Sequence, residues 1–407
     1  MQKHIVIGGG PSGLMAAEIL SAAGHRVTVY ERMPSVGRKL LIAGRGGLNL
    51  THSEPLDRFC SRYGDRSAWL APMIEAFPPQ ALIAWAQGLG QETFVGSSGR
   101  VFPKSLKSSP LLRAWLKRLD VQGVEFKTRH RWLGWTEDGR LKFERQNGDS
   151  VLIERATTVL ALGGASWPRL GSNGDWLSLL ECQGIGVEPF RSANCGFNIG
   201  WSDHFRSRFA GTPLQGAAYR FNDVVVRGEA MVTRYGLEGG AIYALSSVLR
   251  KGVDAHGKVE IVIDLRPEMT IGKLAEKLNR PRAGETLANF LRKSISLAPV
   301  GVNLLREVFG DRIATEPLAL AQQIKSLPLT LTGTQGLDRA ISSAGGVRVS
   351  EMDDTLMLRK LPGVHVTGEM IDWEAPTGGY LLQACFATGV AAARGIINRH
   401  GGLEKIE

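Results

Sequence analysis

The feature that most constrains this chain is a glycine-rich turn between a short apolar segment and an expected helix. Residues 4–8 read His-Ile-Val-Ile-Gly, which is apolar on both faces, as in the central strand of a parallel sheet. Gly8, Gly10 and Gly13 then form the pattern G-x-G-x-x-G, and a helix is predicted over about 11–23. In such a turn the first glycine permits the tight bend, the second lets a pyrophosphate approach the backbone, and the third lets the helix pack close to the strand.

A second predicted strand, residues 26–30, ends on an acidic residue. Glu31 lies 18 positions beyond Gly13, where a carboxylate that binds the adenosine ribose hydroxyls is expected. Pro11 and Ser12 open the helix, whose free N–H groups favour phosphate, and Arg32 follows the acid. Together these elements predict a dinucleotide-binding βαβ unit.

The stretch after the acid favours FAD over a nicotinamide dinucleotide. Residues 32–53 are rich in glycine and cations, and such a loop returns the chain to a long polar ligand. A buried strand over 158–162 ends in glycines, and a strand near 361–367 ends in Gly-acid, followed by a glycine pair and a helix over about 381–398. These stretches supply further predicted flavin contacts: Lys39, Gly44, Arg45, Gly46, Asn49, Thr51, Gly163, Gly368, Glu369, Gly378, Gly379 and Tyr380.

The remaining pattern predicts an α/β fold with an insertion. We expect a Rossmann-like FAD-binding domain split between residues 1–193 and 346–407, with a β-rich substrate domain at 194–345 that carries a helical subdomain at about 270–325. Residues 124–128, 141–145 and 150–154 alternate like antiparallel strands, and a basic amphipathic helix is expected over 109–119, with Arg113, Lys117 and Arg118 on a solvated side. No second G-x-G-x-x-G follows a strand, so no separate nicotinamide domain is expected.

Net charge and cysteine content limit which partners and metal sites the sequence predicts. The net charge is +10, and its excess lies in residues 95–150 (12 Lys/Arg against 6 Asp/Glu) and 191–345 (20 against 14), which suits either solubility or an anionic partner such as RNA. The four cysteines are scattered without a CxxC pair, so no metal site is expected. No run reaches the roughly 18 apolar residues of a membrane helix, and a cytoplasmic protein with a retained N-terminus is expected.

Several of these motifs together resemble a known family. The stretches that carry the resemblance are residues 8–13, Glu31, 37–44, 49–51, 99–103, 162–168 and 368–380. They are similar to the bacterial YhiN/BaiN-like (HI0933-like) flavoproteins over nearly the whole chain. The resemblance implies non-covalent FAD, held in part by the contacts named above. It also implies reduction of activated C=C bonds, including uridine in ribosomal RNA, or oxidation of small amino-ketones. Gly47-Leu48 stands where many relatives have Arg-Cys, which indicates a distinct branch.

These observations leave three functions open. The first is an NAD(P)H-driven reductase in which hydride passes from flavin N5 to an unsaturated small molecule or RNA, with Tyr380 and His52 as candidate proton donors. The second is an FAD oxidase of a small amine or amino-ketone that produces hydrogen peroxide. The third is a flavin-containing binding protein without turnover.

Overall fold

The computed structural model describes residues 2–44, 46–282 and 284–403. The strands, numbered in chain order, are β1 (Lys3–Ile7), β2 (Arg26–Glu31), β3 (Thr51–His52), β4 (Thr93–Val95), β5 (Arg100–Pro103), β6 (Glu125–Thr128), β7 (His130–Trp135), β8 (Leu141–Arg145), β9 (Ser150–Ile153), β10 (Thr157–Leu160), β11 (Val187–Ala193), β12 (Phe197–Asn198), β13 (Pro213–Phe221), β14 (Val224–Val232), β15 (Gly236–Glu238), β16 (Val259–Asp264), β17 (Leu327–Leu331), β18 (Gly333–Thr334), β19 (Ser342–Val347) and β20 (Val364–Val366).

The helices follow the same numbering. They are α1 (Pro11–Ala22), α2 (Arg38–Ala43), α3 (Leu56–Ser61), α4 (Ser67–Ala76), α5 (Pro79–Gly88), α6 (Ser108–Val121), α7 (Trp176–Glu181), α8 (Asp203–Phe209), α9 (Gly240–His256), α10 (Ile271–Leu278), α11 (Leu287–Ile295), α12 (Pro299–Phe309), α13 (Pro317–Lys325) and α14 (Tyr380–Leu403).

The chain divides into two compact units. Unit 1 combines the residues up to Arg191 with those from Ser342 onward, and unit 2 comprises Ser192–Ile341. Unit 1 is built on a five-stranded sheet in the order β20-β10-β1-β2-β6, and every neighbouring pair is parallel. Strand β1 lies at the centre of this sheet, and its Ile5, Val6 and Ile7 are buried, as expected for a strand covered on both faces.

Strand β6 corrects one sequence-based expectation. Residues 124–128 were expected to pair antiparallel, but β6 is the parallel edge strand beside β2. The alternation of β6 is that of any half-exposed edge strand, so it carries no information about direction. The strands β7, β8 and β9 do form an antiparallel sheet.

Helices α1 and α14 pack together in unit 1 through small residues. A Cβ added to Gly389 of α14 would lie 2.5 Å from the carbonyl oxygen of Ser12 in α1, so the two backbones are in close contact. Residues 380–399 of α14 are long and apolar enough to cross a membrane, but 72% of that window is buried inside the protein. Helix α14 is therefore a core helix of unit 1.

Unit 2 is a seven-stranded sheet in the order β17-β16-β13-β14-β15-β12-β18. Its pairings are antiparallel. Helix α9 contributes Ile242, Leu245 and Leu249 to a core that also includes side chains from α10–α13. The structure confirms the α/β fold class, with a parallel Rossmann-like sheet and an inserted strand-rich part that carries helices.

Candidate cofactor-binding site

The glycine turn after β1 admits no larger residue at two of its three glycines. Gly8 has φ +111°, and a Cβ there would lie 2.2 Å from the carbonyl oxygen of Ala161. A Cβ on Gly13 would lie 2.1 Å from the carbonyl oxygen of Gly8. A Cβ on Gly10, by contrast, would meet no atom within 4 Å. Gly10 caps α1 without a side-chain hydrogen bond, and Pro11 opens the helix, so the backbone around Gly10 borders open space at a positive helix end.

Glu31 ends β2 beside this turn. Its carboxylate oxygens accept hydrogen bonds from the backbone N–H groups of Gly9 (2.9 Å) and Met33 (2.8 Å). Burial raises the pKa of Glu31, and the two N–H groups offset only part of that effect. Arg32 follows, with a guanidinium nitrogen 3.8 Å from a carboxylate oxygen of Asp175.

A cavity of about 360 Å³ lies beside the turn. The predicted site residues in its walls are Gly8, Gly10, Pro11, Ser12, Glu31, Arg32, Lys39, Gly163 and Glu369. Among the described residues, the other predicted contacts are not part of these walls: Gly13, Gly44, Gly46, Asn49, Thr51, Gly368, Gly378, Gly379 and Tyr380. The cavity therefore gathers the residues expected around an adenosine and a pyrophosphate.

Lys39 and Glu369 form an ion pair at the cavity wall. The Nζ of Lys39 lies 2.6 Å from the Oε2 of Glu369 and donates to the hydroxyl of Ser166 at 2.7 Å. The Oε1 of Glu369 accepts the backbone N–H of Ser343 at 3.0 Å, and the hydroxyl of Ser343 accepts the N–H of Ala165 at 3.0 Å. The network joins residues separated by as many as 330 positions, and two of its members, Lys39 and Glu369, line the cavity.

The two loops predicted to flank the flavin ring are in direct backbone contact. Gly379 has φ +96°, and a Cβ there would lie 2.5 Å from the Cα of Thr51. Thr51 is fully buried, and its hydroxyl has no hydrogen-bond partner among the described residues, nor does the buried Oδ1 of Asn49. Buried polar atoms are normally satisfied, so both atoms are suited to a polar ligand.

The other predicted glycines have different surroundings. Gly368 (φ +78°) packs closely against Ser12, whose Oγ would lie 2.3 Å from an added Cβ. Gly378 (φ +133°) packs closely against the ring of Tyr380. Gly44 packs against the start of α6, where the Oγ of Ser108 would be 2.5 Å from its Cβ.

Two further predicted contacts, Gly163 and Gly46, lie in loops. Gly163 (φ +71°) lines the cavity, and its carbonyl accepts the indole N–H of Trp176 at 2.9 Å. A Cβ on Gly46 would meet nothing within 4 Å, and Arg45 lies outside the described residues.

The two candidate proton donors have their protons engaged. The phenol of Tyr380 donates to the Oε1 of Glu54 at 2.5 Å, and burial, with the Glu54 carboxylate beside it, raises the pKa of Tyr380. The Nδ1 of His52 accepts the N–H of Glu54 at 3.1 Å, so its Nε2 carries the proton and donates to the carbonyl of Ser98 at 2.9 Å. The rings of His52 and Tyr380 stack, with centroids 5.4 Å apart.

Several residues of the site carry no sequence signal of their own. The cavity walls missed by the sequence analysis include Tyr30, His130, Arg131, Trp132, Leu133, Ser172, Trp176 and Cys385. Strand β7 supplies four of these, and only its position in the fold brings it to the cavity. Glu54 and Arg62 were also missed, because a single acid and a single base eight positions apart match no motif.

The residues present fit FAD. An uncapped helix end and a glycine with open space suit the pyrophosphate, a carboxylate at the end of β2 suits the ribose, and the unpartnered oxygens of Thr51 and Asn49 suit a second polar group further along. Within the described ranges, no group of three or more His, Cys, Asp or Glu side chains is arranged to hold a metal ion.

The fold and this cavity agree with the class of protein that the comparisons indicate, an FAD-dependent oxidoreductase. The chain belongs to the HI0933-like family: the model of the HI0933-like protein Rossmann domain matches residues 2–395. The family resemblance seen in the sequence is thereby confirmed.

Relatives of known activity are similar along their whole length. The 3-dehydro-bile acid delta(4,6)-reductase of Clostridium scindens is 27% identical, over 98% of this chain and 100% of that protein. The ribosomal RNA dihydrouridine synthase of Escherichia coli is 26% identical, over 97% of each chain. The solved 3-ketosteroid delta1-dehydrogenase of Sterolibacterium denitrificans shares the fold, with a TM-score of 0.54 and 12% identity over 98% of this chain and 100% of that one.

Replacing Glu31 with glutamine is expected to weaken FAD binding about 10- to 100-fold, because hydrogen bonds to a charged group contribute about 1.5–3 kcal/mol. Titration of the FAD-free protein with FAD measures this, and Glu154→Gln, which removes an exposed carboxylate of unit 1, is the control. An unchanged FAD affinity in Glu31→Gln would contradict the placement of the ribose at Glu31.

The same variant is expected to change the pH dependence of stability. The pKa of folded Glu31 is raised above its ordinary value of 4.5, so its favourable contribution is present below that value and is lost as pH rises through the folded pKa. In the FAD-free protein, Glu31→Gln should therefore gain thermal stability relative to the wild type as pH rises above about 4.5. A relative loss over that range would contradict the sign.

Proposed function

We propose that this protein uses NADH or NADPH to reduce a carbon–carbon double bond that is conjugated to a carbonyl group. When bound, FAD supplies the hydride chemistry, accepting hydride from the nicotinamide and delivering it from N5 to a carbon of the substrate. The observation that carries the proposal is the packing of Gly379 against Thr51. This contact places the amino end of α14 beside Thr51. A helix N-terminus there would stabilise the negative charge that collects on the flavin N1–O2 edge during reduction.

The number of dinucleotide motifs supports a shared flavin face. The sequence has one G-x-G-x-x-G directly after a strand, so the nicotinamide would react at the open face of the flavin and then leave. The substrate would follow at the same face. We place the reaction in the cytoplasm, where both nicotinamide nucleotides are available.

The names of the two full-length relatives support a carbon–carbon double bond as the target of reduction. Both names describe the addition of hydrogen across a double bond. A delta-4 bond in a 3-oxo steroid and the C5–C6 bond of uracil are each conjugated to a carbonyl. A hydride added to such a bond leaves charge that the carbonyl oxygen can share, which is why this bond type accepts hydride from a flavin.

Ionic strength separates the two substrate classes that share this chemistry. An RNA substrate would be held by phosphate contacts, so its turnover should fall steeply as salt rises. A small conjugated ketone should react with little dependence on salt. Part of the basic excess in residues 95–150 is already neutralised by acids outside this segment, in the ion pairs Arg118–Glu18 and Lys104–Glu92, which favours the small ketone.

Anaerobic stopped-flow absorbance at the flavin band tests the proposal. We expect NADH or NADPH to bleach the bound FAD, and a 3-oxo-4-ene steroid or a uridine-containing ribosomal RNA to restore the colour faster than buffer alone. Dioxygen should restore it slowly. Rapid reoxidation by dioxygen with peroxide formation would instead indicate an amine or amino-ketone oxidase. Failure of both nicotinamides to bleach the flavin would remove the reductase and leave a binding role.

A further inference from the structure

Glu54 lies at the centre of a compact hydrogen-bond cluster in unit 1. Its carboxylate accepts the Nε and Nη2 groups of Arg62 at 3.0 and 2.7 Å and the phenol of Tyr380 at 2.5 Å. Its backbone N–H donates to the Nδ1 of His52. The Glu54 side chain is only 10% exposed. Three of the four groups in this cluster come from one short stretch of sequence, and the fourth, Tyr380, is the first residue of α14.

The cluster ties the loop after Leu50 to the start of α14. Besides the bond to Glu54, the ring of Tyr380 stacks on His52, and its carbonyl accepts the hydroxyl of Tyr63 at 2.8 Å. One residue before Tyr380, Gly379 is in contact with the backbone of Thr51. The backbone of Thr51 is thus held from both sides, by its strand neighbour Val101 and by the amino end of α14.

The surroundings of Glu54 favour the charged form of its carboxyl group. Burial acts to raise the pKa of Glu54, but hydrogen bonds from Arg62 and Tyr380 outweigh it and hold that pKa below its ordinary value. Arg62, with its side chain 48% exposed, compensates the charge from the solvent side. Because Arg62 reaches water, loss of its partner leaves no fully buried charge, and variants at Glu54 are expected to fold.

We propose that Glu54 is a positioning residue for the flavin. It holds Thr51 and the amino end of α14 in the places from which they contact the ring system, and it does so through Tyr380 and His52 without touching the cofactor. In this arrangement Tyr380 and His52 support the loop. The inference needs bound FAD and does not depend on the proposed substrate.

The dissociation constant of FAD and the flavin midpoint potential test this role. In Glu54→Gln and in Tyr380→Phe we expect the FAD dissociation constant to rise up to about tenfold, the effect of losing the one hydrogen bond that a correctly held Thr51 would make to FAD, and the midpoint potential to fall. Thr51→Val should show a similar change. The double variant Glu54→Gln/Thr51→Val should be no weaker than the weaker single variant, because both changes act on one contact.

Asp138→Asn is the matched control. Asp138 also accepts two nitrogens of an arginine, Arg140, in a turn of unit 1, but it lies between β7 and β8. The FAD dissociation constant and the flavin midpoint potential of Asp138→Asn should equal those of the wild type. A lowered melting temperature of FAD-free Glu54→Gln with unchanged FAD affinity and potential would overturn the proposal, since it would make Glu54 a stability residue only. Additive losses in the double variant would also overturn it.

Discussion

Gly10→Ala is expected to leave the FAD-free protein as stable as the wild type and to weaken FAD binding at least about 100-fold. The added methyl group would meet no protein atom within 4 Å, so folding is not impeded. It would instead occupy the space through which a pyrophosphate must approach the backbone. Equilibrium titration with FAD, together with thermal unfolding of the FAD-free protein, separates these two effects.

Two further glycine variants provide comparisons for Gly10→Ala. Gly13→Ala should lower both stability and FAD affinity, because its Cβ would lie 2.1 Å from the carbonyl oxygen of Gly8. Gly272→Ala, in α10 of unit 2, has open space around it and should slightly stabilise the protein without an effect on FAD. If Gly10→Ala bound FAD normally, the pyrophosphate could not lie against this turn.

Lys39→Met is expected to lower the free energy of unfolding of the FAD-free protein by about 2–3 kcal/mol. The change leaves the carboxylate of Glu369, which is only 6% exposed, without its cation, and breaking such a pair costs about 3–5 kcal/mol when both charges are buried. We place the value at the low end because the Lys39 side chain is 25% exposed. Urea denaturation followed by tryptophan fluorescence measures the loss.

Removal of both charges should be less harmful than removal of one. Lys39→Met/Glu369→Gln is expected to recover much of the stability lost in Lys39→Met, since no unpaired charge remains. Arg348→Met breaks the pair with Glu188, whose side chains are 52% and 42% exposed, and should cost less than about 1 kcal/mol. Equal losses in Lys39→Met and Arg348→Met would show that burial of Glu369 has no energetic consequence.

Local signals account for the parts of the fold that the sequence predicted well. The helix expected over 11–23 is α1 (Pro11–Ala22), and the helix expected over 381–398 lies within α14 (Tyr380–Leu403). Each follows a glycine of positive φ, Gly8 for α1 and Gly379 for α14, where an added Cβ would meet backbone atoms, and each continues with apolar residues. The strand that ends on Glu31 was also predictable, since its acid follows the last glycine at a fixed distance.

The features that the sequence did not predict depend on contacts between residues far apart in the chain. The direction of β6 is set by its neighbour β2 and leaves no mark on its own alternation. Arg118 was expected on a solvated side of α6, but it donates to the buried Glu18 of α1 at 2.8 Å, 100 residues away. Glu54 likewise acquires its partner Tyr380 from 326 positions further along the chain. Patterns within a window of ten or twenty residues hold no information about such pairs.

The split of unit 1 in the sequence has a consequence for synthesis on the ribosome. Strand β20 completes the sheet beside β10, α14 covers α1, and Glu369 neutralises Lys39, yet all three are made after the whole of unit 2. The segments of unit 2 are contiguous, so this unit can fold as soon as it emerges, whereas the first 191 residues must wait with an apolar edge and an apolar helix uncovered. The newly made chain is therefore most exposed to aggregation while unit 2 is being translated, and its cofactor site is completed only after the segment that begins at Ser342 has emerged.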